Sequence, residues 1–125
     1  MYINRDQAIS TNFVTAYTRS DITIGSQVRR ASFIMDHENV LLDWPVTDAA
    51  TITIENLEAA ISAGPEIILL GTGSRIVFPA NEVRTAVLSK GIGFEVMDTP
   101  AACRTFNILA GESRHVVAAL ILESS

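Results

Sequence analysis

Short apolar runs recur in the second half of the chain, and each is the length of a strand. Ile67–Leu70 is a continuous apolar run between a charged residue and a glycine. Such a run is typical of a strand that is buried on both faces of a sheet. Similar runs predict strands over residues 94–97 and 116–121.

Amphipathic segments lie between these runs. Apolar residues at helical spacing predict a helix beginning after Thr53, a second over residues 79–89, and a third beginning after Thr99. We expect Thr99 to cap the third helix, with Pro100 at its first position. Strands that alternate with helices indicate an α/β fold of three layers, α/β/α, in which helices cover both faces of a central mixed sheet.

The first part of the chain has a different pattern, which predicts a β-hairpin. Residues 21–25 form a short strand ending at glycine, and residues 27–35 alternate as a half-solvated strand would. A turn over 36–39 leads to a returning strand over 40–44. We expect this N-terminal β-hairpin to add to the sheet or to pack across one end, and residues 1–20 to form a loosely held arm that joins an edge strand.

Composition limits the class of protein. The 125 residues suit a single domain over 1–125, and 48% of them are hydrophobic, as a sheet covered on both faces requires. A net charge of -5 argues against nucleic-acid binding, because the surface would repel phosphates. No apolar run is long enough for a transmembrane segment, and the first 13 residues do not resemble a secretory signal. We therefore expect a cytoplasmic protein.

Few residues are suited to metal binding or catalysis. Cys103 is the single cysteine and falls on the apolar stripe of its helix, so we interpret it as a small buried hydrophobe rather than a nucleophile. His37 and His115 have no ligand neighbours at a usable spacing, so no metal site is predicted. No complete set of catalytic residues and no cofactor motif is present, so the sequence predicts no catalytic residue and no cofactor.

A glycine-rich loop directly follows the run Ile67–Leu70. Gly71, Thr72 and Gly73 lie where ligands bind in open α/β sheets, at the carboxyl end of a strand. A dinucleotide loop would have a third glycine, but Ile76 occupies that position, and a Walker lysine is also missing. Two interpretations remain open: a tight turn that requires positive φ, or a loop that cradles a ligand.

A second turn, Asp98-Thr99-Pro100, also follows a strand. If the two strands are neighbours, this turn lies beside the glycine loop, and Thr105 and Asn107 extend the polar surface along the helix. The alternative is that Thr99 only caps the helix. Further on, Glu112 and Arg114 precede the last strand, and in an extended segment their side chains would point to the same side. We favour a structural ion pair between them or with another partner. The predicted ligand-binding set is Gly71, Thr72, Gly73, Asp98, Thr99, Ala102, Thr105, Asn107, Glu112 and Arg114.

Several segments together resemble the signature of one family. These are residues 65–73, residues 91–99, and the stretch from Ala102 to Arg114 that contains Thr105, Phe106, Asn107, Ile108 and Leu109. They are similar to a domain-of-unknown-function family that includes mitochondrial complex I assembly factor three and its bacterial and archaeal relatives. The similarity covers roughly residues 20–122, and several motifs in one order are more specific than any one alone.

The resemblance implies a three-layer fold and a protein without an established enzymatic activity. Its eukaryotic branch binds other proteins during complex I biogenesis at the inner membrane. The resemblance also implies that signature positions gather around one cleft; these are matched here by Gly71, Gly73, Thr99, Thr105, Asn107 and Arg114.

Three hypotheses of function follow. The first is a non-enzymatic interaction or assembly-assisting module in respiratory-complex biogenesis, with other proteins as partners and a location peripheral to the inner membrane. The second is a small-molecule-binding protein, or an enzyme of unfamiliar type, that uses a cleft at the Gly71 loop and the Thr99 helix. The third is a homodimer that pairs through the predicted hairpin.

Overall fold

The computed structural model of the protein describes residues 12–123, and strands and helices alternate from residue 58 onward. The α-helices are α1 (Glu58–Ser62), α2 (Asn81–Leu88) and α3 (Thr99–Gly111). The strands are β1 (Val14–Tyr17), β2 (Ile22–Ile24), β3 (Gln27–Arg29), β4 (Phe33–Met35), β5 (Val40–Asp43), β6 (Ile67–Gly71), β7 (Gly93–Met97) and β8 (Val116–Leu120).

The central sheet is mixed, as predicted. Its five strands have the order β5-β4-β8-β6-β7. Strands β6, β7 and β8 run parallel, while β4 is antiparallel to both β5 and β8. A separate antiparallel sheet contains β1, β2 and β3. The three parallel strands therefore bring their carboxyl ends to one edge of the sheet.

Helices cover both faces of the central sheet, so the predicted three-layer architecture is confirmed. One buried cluster lies under α1 and α2, and it contains Leu57, Ala60, Ile68, Leu70, Val83, Val87, Val117 and Ala119. The other lies under α3 and the small sheet, and it contains Val14, Ile22, Leu69, Ala102, Cys103, Phe106, Ala118 and Leu120. Because β6 and β8 have helices on both sides, their sequences are apolar throughout rather than alternating.

The prediction of one strand over residues 27–35 is wrong. The chain leaves one sheet after β3 and enters the other at β4, with Ser32 at the crossing. The Ser32 hydroxyl accepts a hydrogen bond from the Leu122 N–H at 3.0 Å, and the Ser32 carbonyl accepts one from the Trp44 N–H at 2.9 Å. These bonds anchor Ser32 inside the central sheet, whereas β3 pairs with β2. Strand β4 is buried at all three positions because it lies between β5 and β8.

The predicted hairpin corresponds to β4 and β5, which pair antiparallel and extend the central sheet. Because β4 also pairs with β8, β5 is the strand of this hairpin that lies at an edge of the central sheet. The second half of the proposed N-terminal arm includes β1, which pairs with β2, while residues 1–11 lie outside the described residues.

The first predicted helix begins where expected, because Thr53 forms a capping box with Asn56. It starts, however, as a 3₁₀ turn over Ile54–Leu57 before continuing as α1.

Candidate functional site

Backbone hydrogen bonds join the glycine loop to the turn after β7. The Thr72 N–H donates to the Met97 carbonyl at 2.9 Å, and the Thr99 N–H donates to the Gly73 carbonyl at 2.8 Å. Gly71 is close to the same turn, since a Cβ there would lie 3.0 Å from the Thr99 Cα. The two loops that follow β6 and β7 therefore lie side by side at the carboxyl edge of the sheet.

Thr99 connects three segments and is not the helix cap. Its hydroxyl accepts a hydrogen bond from the Gly73 N–H at 2.8 Å and donates one to the Ile121 carbonyl at 2.8 Å. The cap is Asp98, whose carboxylate accepts from the Ala101 N–H at 2.8 Å. The prediction that Thr99 caps α3 is wrong, because the hydroxyl of Thr99 is directed into the sheet end, where it is 3% exposed.

Thr72 holds the chain that follows the glycine loop. Its hydroxyl donates to the Arg75 carbonyl and accepts from the Val77 N–H at 3.1 Å. Gly73 has a φ of 98°, which favours glycine and agrees with the tight-turn interpretation. Both threonine hydroxyls are thus bonded within the protein, and each is nearly inaccessible to a ligand.

A carboxylate of the chain itself occupies the outer side of the loop. Glu123 Oε2 accepts hydrogen bonds from the Ser74 N–H at 2.8 Å and from the Ser74 hydroxyl at 2.7 Å. Its other oxygen accepts from the Arg19 guanidinium at 3.2 and 3.3 Å. These bonds, first from the Ser74 backbone, lower the pKa of Glu123 below its usual value. The outer side of the loop is therefore occupied by Glu123 of the same chain.

The predicted residues on α3 lie at increasing distance from this edge. Ala102 is buried in the core under the helix, and Thr105 is half-buried. Asn107 bonds to β1: its carboxamide accepts from the Val14 N–H and donates to the Val14 carbonyl, both at 2.9 Å. Asn107 follows Thr99 by eight residues, about 12 Å along a helix axis. Its side chain thus fastens α3 to the small sheet, away from the Gly71 loop.

Glu112 and Arg114 lie at the opposite edge of the central sheet. They precede β8, whereas the Gly71 loop follows β6, and these two strands are parallel. Glu112 and Arg114 do not form an ion pair with each other, which was one of the two predicted alternatives. Arg114 Nε donates instead to Glu66 Oε1 at 3.0 Å, and the His115 N–H donates to Glu66 Oε2 at 3.2 Å. The bond from the His115 backbone, followed by the bond from the Arg114 side chain, lowers the pKa of Glu66.

An exposed apolar segment was missed by the sequence analysis. Ile76 and Phe78 are 54% and 69% exposed, whereas Val77 between them packs against the core. Phe78 lines a surface groove of about 610 Å³ together with Pro79, Asn81, Arg84, Phe94, Glu95 and Val96. The signal available in the sequence was the apolar run from Ile76 to Pro79, which falls between a loop and a helix rather than within a strand.

The structure also brings together two histidines that are distant in sequence. The rings of His37 and His115 lie edge to face with their centroids 5.9 Å apart. Nδ1 of His37 is buried without a hydrogen-bond partner among the described residues. Within residues 12–123 no group of three or more His, Cys, Asp or Glu side chains is arranged to hold a metal ion.

Cys103 lies on the buried face of α3, and this burial raises the pKa of its thiol to about 12. The thiol is therefore protonated at neutral pH, which agrees with its interpretation as a small hydrophobe. None of the described helices is both long and apolar enough to cross a bilayer.

The fold is similar to that of a solved bacterial protein. The crystal structure of a protein from Bordetella parapertussis matches with a TM-score of 0.84 at 39% identity, and the match covers 91% of this chain and 98% of that chain. The two proteins therefore share their overall fold.

Two curated relatives carry the name NADH dehydrogenase (ubiquinone) 1 alpha subcomplex assembly factor 3. The one from Danio rerio is 41% identical over 83 residues, which are 65% of this chain and 48% of that protein. The one from Homo sapiens is 32% identical over 118 residues, which are 92% of this chain and 63% of that protein. The chain thus spans less than two-thirds of the length of these relatives.

The family predicted from the sequence motifs is confirmed by the family comparison. Residues 14–121 match one family model, and this range extends from β1 to just beyond β8. The chain belongs to the family described as protein of unknown function (DUF498/DUF598).

Proposed function

We propose that this protein is a non-enzymatic binding module that assists the assembly of a respiratory membrane complex from the cytoplasmic side. Two relatives are named assembly factors of an NADH dehydrogenase subcomplex, which supports an assembly role. Three polar side chains of the predicted ligand site, those of Thr72, Thr99 and Asn107, are hydrogen-bonded to backbone groups of the protein itself. This favours protein binding over small-molecule binding.

The observation that carries the proposal is the exposure of Phe78. Burying a phenylalanine side chain contributes about 1.5–3 kcal/mol, so leaving one 69% exposed forgoes part of that stabilisation. The backbone beside Phe78 is fixed in position, because the Thr72 hydroxyl accepts a hydrogen bond from the Val77 N–H and the Val77 side chain packs against the core. Ile76 and Phe78 on either side are consequently directed outward. Aromatic side chains, phenylalanine among them, are enriched in the buried centres of protein interfaces.

The experiment is affinity purification of the tagged protein from membranes of its source organism in mild detergent. We expect a stable membrane-complex subunit or assembly factor to copurify with the wild type. Phe78→Ser should reduce its recovery at least about tenfold, the usual effect of removing an interface centre. The control is Ile108→Ser, since Ile108 is 60% exposed on α3, on the other face of the sheet.

The absence of a stable partner for the wild type would contradict the proposal. Equal recovery with Phe78→Ser and with the wild type would show that a partner binds, but at another surface. Circular dichroism of both variants checks that the fold is kept.

A further inference from the structure

Strand β7 is the outermost strand of the central sheet and pairs with β6 alone among the described strands. The Gly93 N–H donates to the Glu66 carbonyl, and the Met97 carbonyl accepts from the Thr72 N–H, so both residues face the β6 side. Because the direction of the backbone groups alternates along a strand, the N–H and C=O groups of Phe94 and Val96 point away from the sheet. They form an unpaired edge.

The groove beside Phe78 follows this edge. Its wall includes the consecutive residues Phe94, Glu95 and Val96, and successive side chains of a strand point to opposite faces. A groove that contacts all three therefore runs along the strand edge rather than over one face. The other wall is formed by Phe78, Pro79 and the first turns of α2.

The two faces of this edge differ in chemistry. Phe94 and Val96 belong to the apolar cluster under α1 and α2, on the side where Phe78 lies. Glu95 points to the other face and is exposed. Arg84 from α2 also lines the groove, and it forms no ion pair with another residue of the range 12–123.

We infer that the groove binds an extended segment of a partner protein, which adds to β7 as a sixth strand. The inference rests on the proposed function and names the chemistry of the partner. The added segment has apolar side chains beside Phe94 and Val96, covered by Phe78, and a lysine or arginine between them opposite Glu95. Backbone hydrogen bonds supply the affinity and the alternating side chains supply the specificity.

Electrostatic repulsion disfavours a second copy of the chain as the occupant of this groove. A symmetric antiparallel pairing of two β7 strands about Glu95 would place Glu95 opposite its own copy, and like charges directly opposite are destabilising. The whole chain also has a net charge of -5, which opposes self-association. A basic residue in the added segment removes this repulsion and forms a favourable cross-strand pair.

The test is photo-cross-linking in cells of the source organism, with p-benzoylphenylalanine in place of Phe78. We expect an adduct to one partner, and mass spectrometry should locate it in a segment that alternates apolar and basic residues. Glu95→Lys should lower the adduct yield about tenfold, because a favourable cross-strand pair becomes a repulsive one. Reversing the partner's basic residue to glutamate together with Glu95→Lys should restore the yield. The control Glu112→Lys makes the same charge change in the turn before β8, a strand that is separated from β7 by β6.

Any of the following results would overturn the inference. An adduct to a segment without a basic residue, or one unaffected by Glu95→Lys, would exclude strand addition but leave the proposed binding function intact. An adduct to a second copy of the chain would identify a homodimer, and an adduct to lipid would identify a membrane surface. The absence of any protein adduct, together with the absence of a copurified partner, would refute the proposed function itself.

Discussion

Replacing Thr99 by valine tests whether its hydroxyl is a structural link at the end of the sheet. Thr99→Val keeps the shape of the side chain but removes the hydroxyl that joins the Gly73 N–H to the Ile121 carbonyl. Both groups would then be buried without this partner. Each buried group left unpaired costs about 1–3 kcal/mol, and partial relaxation of the loop reduces the sum. We expect the free energy of unfolding to fall by about 2–4 kcal/mol.

Urea denaturation followed by tryptophan fluorescence measures this change. The single tryptophan, Trp44, is 3% exposed, and its Nε1 donates to the Asn56 carbonyl at 2.8 Å, so it reports loss of the core. In thermal melts the same change corresponds to a Tm lower by about 6–20 °C for a chain of this size. The slope of the urea transition should stay constant, since the surface exposed on unfolding is unchanged.

The matched control is Thr105→Val on the same helix. Thr105 is half-buried, and its side chain forms no hydrogen bond with another described residue, so we expect a change within about 0.5 kcal/mol. If Thr99→Val is no more destabilising than Thr105→Val, the hydroxyl of Thr99 does not support the sheet end. A role for it in ligand binding would then regain support.

Three further predictions concern the same edge and the core below it. The pKa of Glu123 is lowered in the folded protein, so the ionised carboxylate stabilises the fold above its ordinary pKa of 4.5, and this stabilisation is lost as the pH falls below that value. The Tm difference between the wild type and Glu123→Gln should therefore be larger at pH 7 than at pH 3.5. An equal Tm difference at both pH values would exclude the link to Ser74. Gly71→Ala should lower the free energy of unfolding by about 1–3 kcal/mol, since the added Cβ would lie 3.0 Å from the Thr99 backbone. An unchanged free energy of unfolding in urea denaturation would contradict that contact. Cys103 should resist iodoacetamide at pH 8 in the native protein and react in urea, because burial raises the pKa of its thiol to about 12. Mass spectrometry measures the labelling, and rapid labelling of the native protein would show that the helix opens.

Much of the architecture was predictable because it depends on local sequence. The run Ile67–Leu70 is apolar on both sides, so only a strand with helices on both faces could bury it. Pro100 close to the start of α3 and the polar residues before it similarly indicated the beginning of a helix. The nearness of the Gly71 loop and the Thr99 turn followed from the expectation that parallel strands end at one edge.

The distribution of the predicted site residues was not predictable in the same way. Asn107 was grouped with Gly71 from its place on the helix and from the resemblance, and Arg114 from the resemblance, but α3 carries both away from the edge where Gly71 lies. Asn107 bonds to β1, and Arg114 bonds to Glu66 across 48 residues. Such partners are chosen by long-range contacts, for which neither periodicity nor capping rules give information.

By itself, the sequence determined the strands and α-helices from residue 40 onward, because hydrophobic periodicity and helix-capping chemistry operate within a few residues. Only the tertiary structure decided that residues 27–35 divide between two sheets and that Glu123 returns to fill the glycine loop. It also decided that Phe78 stands exposed beside the free edge of β7. These features depend on which distant segments pack together, and that choice is made by the folding of the whole chain around its sheet.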